Sequence, residues 1–183
     1  IHKTGDKSTP SNFRPISLLP VLSKVLERII ANQLLDHLED NNLISKNQYA
    51  YRRKLSTEDA LLRITESIYK EIDNNKISLL LLLDLSKAFD SVNHEILIRK
   101  LEALHIHTPW FVNYLTNRTQ CVKLGENHIS SSAPISFGVP QGSILGPILF
   151  LIFVNDISCG EAQTNAKMTM YADDVQIVLS SSI

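Results

Sequence analysis

Asp84 closes the apolar run "ISLLLLLD", and Asp173 and Asp174 stand side by side between the apolar runs of "KMTMYADDVQIVL". Adjacent carboxylates beside core strands repel one another and resist desolvation. A solvated hairpin turn, where Asp is common, is one way to accommodate them. A divalent cation that cancels the repulsion is another. If the strand ending at Asp84 pairs with the hairpin carrying Asp173 and Asp174, three carboxylates converge at one sheet edge. Hard oxygens of this kind suit Mg²⁺, which takes few protein ligands and completes its shell with water and substrate phosphates. Two such ions about 3.5–4 Å apart stabilise the attacking and leaving oxygens of an in-line phosphoryl displacement. Gln141, in the glycine-bearing loop "GVPQGS", lies between the aspartates in sequence and offers both a donor and an acceptor. Caps and turns also use scattered aspartates, and position alone leaves both readings open.

Several elements must position these residues. The opening "IHKTGDKSTPSNFRPISLLP" reads as two short strands around a loop. Apolar residues at helical spacing predict a helix over Val21–Leu38. "NQYAYRRKLST" is a basic, aromatic connector. Ser56 or Thr57 caps a second helix, with Glu58 and Asp59 in its first turn and Leu61, Ile64, Ile68 and Ile72 as its inner face. "ISLLLLLD" lacks alternation and suggests a strand buried on both faces, although a helix also fits so short a run. Further helices are expected at Val92–Leu104, at Pro109–Asn117 with Thr108 as cap, and at Ile144–Ile157. A hairpin is expected around Gly125–Asn127, and another carries the aspartate pair. Helices, a central strand, more helices and then antiparallel strands predict an α+β fold.

The 183 residues suffice for one domain with a proper core. The longest apolar runs fall far short of the roughly 18 to 20 residues that span a bilayer, so no membrane segment is expected, and we see no signal peptide. Cys121 and Cys159 lack CxxC spacing and read as two reduced thiols of an intracellular protein. Eighteen Lys and Arg nearly balance nineteen Asp and Glu, but unevenly. Residues 1–54 hold nine basic against five acidic side chains, and residues 55–183 hold nine against fourteen. A basic N-terminal part can face phosphates and an acidic remainder can hold cations. His105 and His107 form an HxH pair for which the sequence offers no third ligand.

The strings "NFRPISLLPVLSKVLERII", "QYAYRRKLSTEDALL", "LLLDLSKAFDSVNHEIL", "GVPQGSILGPILFLIFVNDI" and "YADD" occur in this order. Together they resemble the reverse transcriptases of non-LTR (LINE-type) retrotransposons, over nearly the whole chain. The resemblance implies a right-hand polymerase: a single reverse transcriptase domain with a fingers-like segment over 1–76 and a partial palm, interleaved with the fingers, over 77–183. An antiparallel palm sheet would be flanked by helices. It implies RNA-directed DNA synthesis from dNTPs on a DNA primer and an RNA template, with two Mg²⁺ ions (or Mn²⁺). The primer grip, thumb and endonuclease that usually belong to such polyproteins lie outside these residues, so little activity is expected of the fragment alone. A nuclear location follows from the family's habit of priming on chromosomal DNA.

Residue by residue, the resemblance assigns the metals to Asp84 and Asp173, with Asp174 as the third carboxylate and the Leu85 carbonyl as a further ligand. Phe89 falls where the family places an aromatic under the sugar, where it would clash with a ribose 2′-OH; an ordinary core Phe is the alternative. Backbone N–H groups of Lys87, Ala88 and Phe89 would hold triphosphate oxygens. Gln141 would meet the nucleotide or template, with Gly138 and Gly142 allowing close backbone approach. Lys3 and Arg14 match the fingers hairpin that binds the triphosphate. Arg52 and Arg53, beside Tyr49 and Tyr51, suggest template contact, with a solvated basic loop as the alternative. Asp90 is expected to cap the following helix.

The chain departs from the family where Ala50 and Lys54 occupy positions that are glycine in many members. Three rival readings remain. One is a non-catalytic nucleic-acid-binding relic or domesticated module of a reverse transcriptase. The second is an RNA-dependent RNA polymerase, disfavoured by Phe89 and by "YADD" in place of "GDD". The third is a group II intron maturase, disfavoured by the wording of the central blocks.

Overall fold

The computed structural model describes residues 1–125, 128–158 and 166–182. Residues 1–3 and 12–14 form a short antiparallel ladder around a loop, bridged at His2 and Phe13. Helix α1 then spans Val21–Asp40. Only its C-terminal half buries the expected stripe, through Ala31, Leu34 and Leu38. In the first half Glu27 is the buried residue, while Val21, Leu22 and Val25 face solvent.

Helix α2 spans Thr57–Asp73 and starts at a capping box. Ser56 Oγ accepts from the Asp59 N–H, and the Asp59 carboxylate accepts from the Ser56 N–H at 2.7 Å. Such a cap contributes about 1 kcal/mol. The inner face is only partly the expected one, sharing Ile64 with it. It runs through Ala60, Ile64, Ser67 and Glu71, while Leu61 and Ile72 are exposed. What lies opposite explains the rotation. The strand that follows, β1 (Lys76–Asp84), pairs antiparallel with β7 (Asp174–Ser182), which pairs in turn with β6 (Lys167–Tyr171). Direct cross-strand partners share a face. Lys76, Ser78, Gln176, Thr169 and Lys167 therefore lie on one side of this sheet. Glu71 of α2 reaches both lysines, at 2.9 Å to Lys76 and 2.8 Å to Lys167. The two lysines on this mixed sheet face thus draw the Glu71 side of the helix inward.

Those two ammonium groups hold the Glu71 carboxyl at about 2, well below its ordinary 4.5. A depressed carboxylate contributes stability that is present above the unfolded-state value and is lost as pH falls. Thermal unfolding temperature is therefore expected to fall between about pH 4.5 and pH 2, and Glu71→Gln to flatten that decline. Melts across this pH range check it; an unchanged acid slope in the variant would count against the pairing.

Strand β1 corrects a second expectation. It is the edge of a sheet with order β1-β7-β6, and it is not buried on both faces. Ile77, Leu79 and Leu83 on the side away from Lys76 are at least half exposed. An apolar run without alternation records what a strand could bury; it does not supply the neighbours that would do so.

The core lies in the other helices: α3 (His94–Ala103), α4 (Pro109–Leu115) and α5 (Gly146–Val154), with the end of α1. Leu38, Leu97, Leu101, Leu145 and Leu149 are wholly buried. Apolar on every side, α5 is buried along nearly its whole length, as such a helix must be. Asn93 caps α3 by accepting from the Ile96 N–H, so Asp90 is not the cap. Thr108 precedes α4 without a capping hydrogen bond. The expected hairpin is present as β3 (Lys123–Leu124) on β4 (His128–Ile129), inside a second pair, β2 (Thr119–Gln120) on β5 (Ala133–Pro134). Asn127 lies outside the described residues. Cys121 is a free exposed thiol, and Cys159 lies outside the described residues. Among the described residues no helix is long and apolar enough to cross a membrane.

Candidate active site

Asp84 is the last residue of β1, and its cross-strand partner is Asp174, the first residue of β7. Tyr171 pairs with the same Asp174 on the other side, leaving Ala172 and Asp173 as a two-residue hairpin loop. Residues about ninety positions apart are thereby neighbours at one sheet edge. Ala172 sits at φ 57°, a left-handed conformation that favours glycine and costs other residues about 1–2 kcal/mol. Asp84 and Asp174 are exposed and Asp173 is half-buried. Among the described residues no three His, Cys, Asp or Glu side chains are already gathered to hold an ion. The donor chemistry nevertheless fits a hard cation that needs few protein oxygens.

The turn after Asp84 forms one wall. Lys87 takes a left-handed conformation, and the Leu85 carbonyl accepts from the Ala88 N–H at 3.2 Å. One carbonyl lone pair is thus used, and a second remains by the nature of the group. The Phe89 ring stacks on Phe150 of α5, with centroids 4.7 Å apart. Core packing and a fixed ring orientation coexist at this position.

The "GVPQGS" loop docks directly on this turn. The Gly138 N–H donates to the Val92 carbonyl, and the Val139 N–H to the Phe89 carbonyl, both at 2.8 Å. A Cβ at Gly138 would lie 3.1 Å from the Asp90 Cα, and its φ of 88° suits only glycine. The close approach that Gly138 permits is therefore to the chain's own backbone. Gly142, at φ 102°, likewise lies against Ser17. Gln141 donates through Nε2 to Asp90 Oδ1 at 2.9 Å, which is the role Asp90 has in place of a cap. The Ser17 N–H donates to the Gln141 carbonyl, joining the N-terminal ladder to this loop. Lys3 is hydrogen-bonded across to Asn12, and Arg14 to Ile1. That register sets Lys3 and Arg14 on one face of the ladder.

The basic connector lies along the far edge of the hairpin. The Tyr49 N–H donates to the Met170 carbonyl, and the Met170 N–H to the Asn47 carbonyl. Burial, and then the charges of Asp173 and Tyr171, raise the Tyr51 phenol above its ordinary value. Arg52 corrects an expectation. Its guanidinium holds Glu39 at 2.9 and 2.6 Å and the Ser45 and Gln48 carbonyls at 3.0 and 3.3 Å. A cation so engaged has no face left for a template phosphate. Arg53 pairs with Asp36 on the surface and stays about half exposed. Lys54 is left-handed at φ 62°, which explains why glycine suits this position; Ala50 is instead buried.

Three residues escaped sequence reasoning. Glu27 is buried, and its Oε2 accepts from the Ile144 and Leu145 N–H groups at 2.8 and 3.3 Å. Gln48 is buried against the hairpin, and the His94 ring is hydrogen-bonded to the Gly138 carbonyl. Only Glu27 left a signal: a charge in register with the apolar stripe of Ala31, Leu34 and Leu38. His37, His105 and His107 line a cavity of about 270 Å³. His37 Nε2 is already within 3.1 Å of the Leu104 carbonyl, so the histidines do not form a metal site.

The family model for reverse transcriptase (RNA-dependent DNA polymerase) matches residues 1–182. The "Probable RNA-directed DNA polymerase from transposon BS" of Drosophila melanogaster is 35% identical over all of this chain and 21% of its own length. The RNA-directed DNA polymerase from the mobile element jockey of the same fly is 34% identical over 99% of this chain and 20% of its own length. This chain thus spans about a fifth of these relatives. Among solved structures, telomerase from Candida tropicalis with a fragment of telomeric RNA superposes at a TM-score of 0.62 and 15% identity, over 88% of this chain and 29% of that one. That likeness is one of fold, the α+β fingers-and-palm arrangement. The chain belongs to the reverse transcriptase family, and the curated relatives it matches are RNA-directed DNA polymerases of transposable elements.

Proposed function

We propose that this chain is the fingers (1–76) and palm (77–183) core of an RNA-directed DNA polymerase, which adds dNTPs to a DNA 3′ end on an RNA template. The observation that carries the reading is the pairing of Asp84 with Asp174 at the tip of the "YADD" hairpin. Two Mg²⁺ ions, or Mn²⁺, would be held by Asp84, Asp173 and Asp174 with the Leu85 carbonyl, and would supply the charge stabilisation of an in-line phosphoryl displacement. Lys3 and Arg14, with the backbone N–H groups of Lys87 and Phe89, bind the triphosphate; the Ala88 N–H, expected to join them, is already given to the Leu85 carbonyl. Gln141, steadied by Asp90, faces the nucleotide. Arg53 and the Gly142 loop meet the template. The rest of a longer polyprotein supplies the thumb and endonuclease, and the nucleus is the proposed place of action.

Phe89, backed by Phe150, excludes the 2′-OH. Phe89→Ala is expected to raise ribonucleotide use by about 10²-fold relative to dNTPs, the usual worth of a hydroxyl at an apolar wall. Competitive incorporation assays read this ratio; an unchanged ratio would return Phe89 to the core.

The test of the whole reading is Mg²⁺-dependent dTTP incorporation on poly(rA)/oligo(dT). Little is expected from the 183 residues alone, and template-dependent synthesis from a chain as long as its relatives. RNA binding that ignores both Mg²⁺ and Asp84→Asn, without synthesis by the longer chain, would assign a non-catalytic binding module.

A further inference from the structure

The turn that carries Asp173 is held by a side chain from a distant segment. Gln48 is 1% exposed, and its Oε1 accepts from the Ala172 N–H at 3.1 Å and from the Ala50 N–H at 3.0 Å. Backbone contacts fix the strand below: Met170 bonds to both Asn47 and Tyr49, and Gln48 bridges Met170 in parallel. The backbone bridge stops at Met170, and only the side chain reaches Ala172. Ala172 is also the strained residue, with φ at 57° and no glycine to ease it.

A buried N–H without its acceptor is costly, so removing the Gln48 oxygen favours a turn in which Ala172 is relaxed and solvated. That motion would carry Asp173, the next residue, away from its place in the loop between Tyr171 and Asp174. We propose that Gln48 is a positioning residue: it locks the left-handed turn at Ala172 and so fixes where Asp173 stands at the hairpin tip, next to Asp174 in the chain. This inference rests on the polymerase reading of the site. A neutral amide suits the task, since it accepts both N–H groups without adding a charge beside Asp173.

The test uses the ¹⁵N-labelled 183-residue chain, read by amide hydrogen exchange and by Mn²⁺ titration followed through the EPR signal of free Mn²⁺. In Gln48→Leu, exchange at Ala172 is expected to accelerate about tenfold, the worth of one buried hydrogen bond, while Met170 keeps its protection. Mn²⁺ affinity should fall by a similar factor, and adding Ala172→Gly should restore part of it, because glycine takes the turn conformation freely. Gln48→Glu keeps the acceptor and should retain Ala172 protection, which also keeps the idea testable if the Leu variant does not fold. Unchanged exchange at Ala172 in Gln48→Leu would overturn the proposal. So would equal acceleration at Met170, which would make Gln48 a support of the strand. Lost protection with Mn²⁺ affinity intact, while Asp173→Asn weakens it, would also overturn the positioning role. If Asp173→Asn leaves Mn²⁺ binding unchanged, the metal reading itself fails, and with it the role assigned to Gln48.

Discussion

Asp173→Asn in the longer polymerase is expected to lower Mg²⁺-dependent dNTP incorporation by about 10²–10³-fold or more, the usual cost of removing one preorganised electrostatic partner. RNA affinity should not move. The substitution preserves shape and hydrogen-bonding size but removes a negative charge from the turn between β6 and β7. An amide oxygen is a neutral donor, and a hard divalent ion selects anionic oxygen. Asp173 is half-buried, so the loss is poorly replaced by bulk water. In the proposed reading RNA contact is spread over cations elsewhere, such as Arg53. Single-turnover incorporation and filter binding on the same preparation separate the two effects. Full turnover in Asp173→Asn would remove the metal reading, whatever the family.

The second large effect concerns stability. Glu27→Ala is expected to cost about 3–5 kcal/mol, because it strands several buried polar groups at once. The Ile144 and Leu145 N–H groups lose their acceptor at the entry to α5, and the Tyr114 hydroxyl loses the Glu27 oxygen it donates to at 3.0 Å. A carboxylate at a helix N-terminus is also favoured by the helix dipole, which the Ala variant forfeits. A chain of this size should melt roughly 6–20 °C lower, at about 2–4 °C per kcal/mol. Glu27→Gln keeps one acceptor and should fall between. Burial, followed by the charge of Glu27, pushes Tyr114 up to about 12. A raised value means stability present below the ordinary 10 and lost as pH climbs through about 12. Thermal melts of both variants check the ranking; an Ala variant within about 0.5 kcal/mol of wild type, the range of ordinary surface changes, would show the cluster to be dispensable. Because Ile144 follows Gln141 by three residues, the same clamp anchors one end of the candidate nucleotide-binding loop.

Local information in the sequence was enough for the helices, for the Ser56 cap and for the ladder at the N-terminus, because period and capping chemistry act within a few residues. The motif order, through the resemblance, singled out Asp84, Asp173, Asp174 and Gln141 as candidates. Tertiary structure alone decided which side of each element faces inward. Helix α2 turned its Glu71 side to Lys76 and Lys167 of the sheet, and the apolar Leu61 was left outside. Strand β1 kept its leucines but became an edge. Arg52 went to Glu39, Asp90 to Gln141, and Gln48 to a turn more than a hundred residues away. Periodicity reports that a residue has a side; it carries no record of what stands across from it. Burial of charge and satisfaction of buried amides are pairwise events between distant positions, so they appear only once the chain has closed on itself.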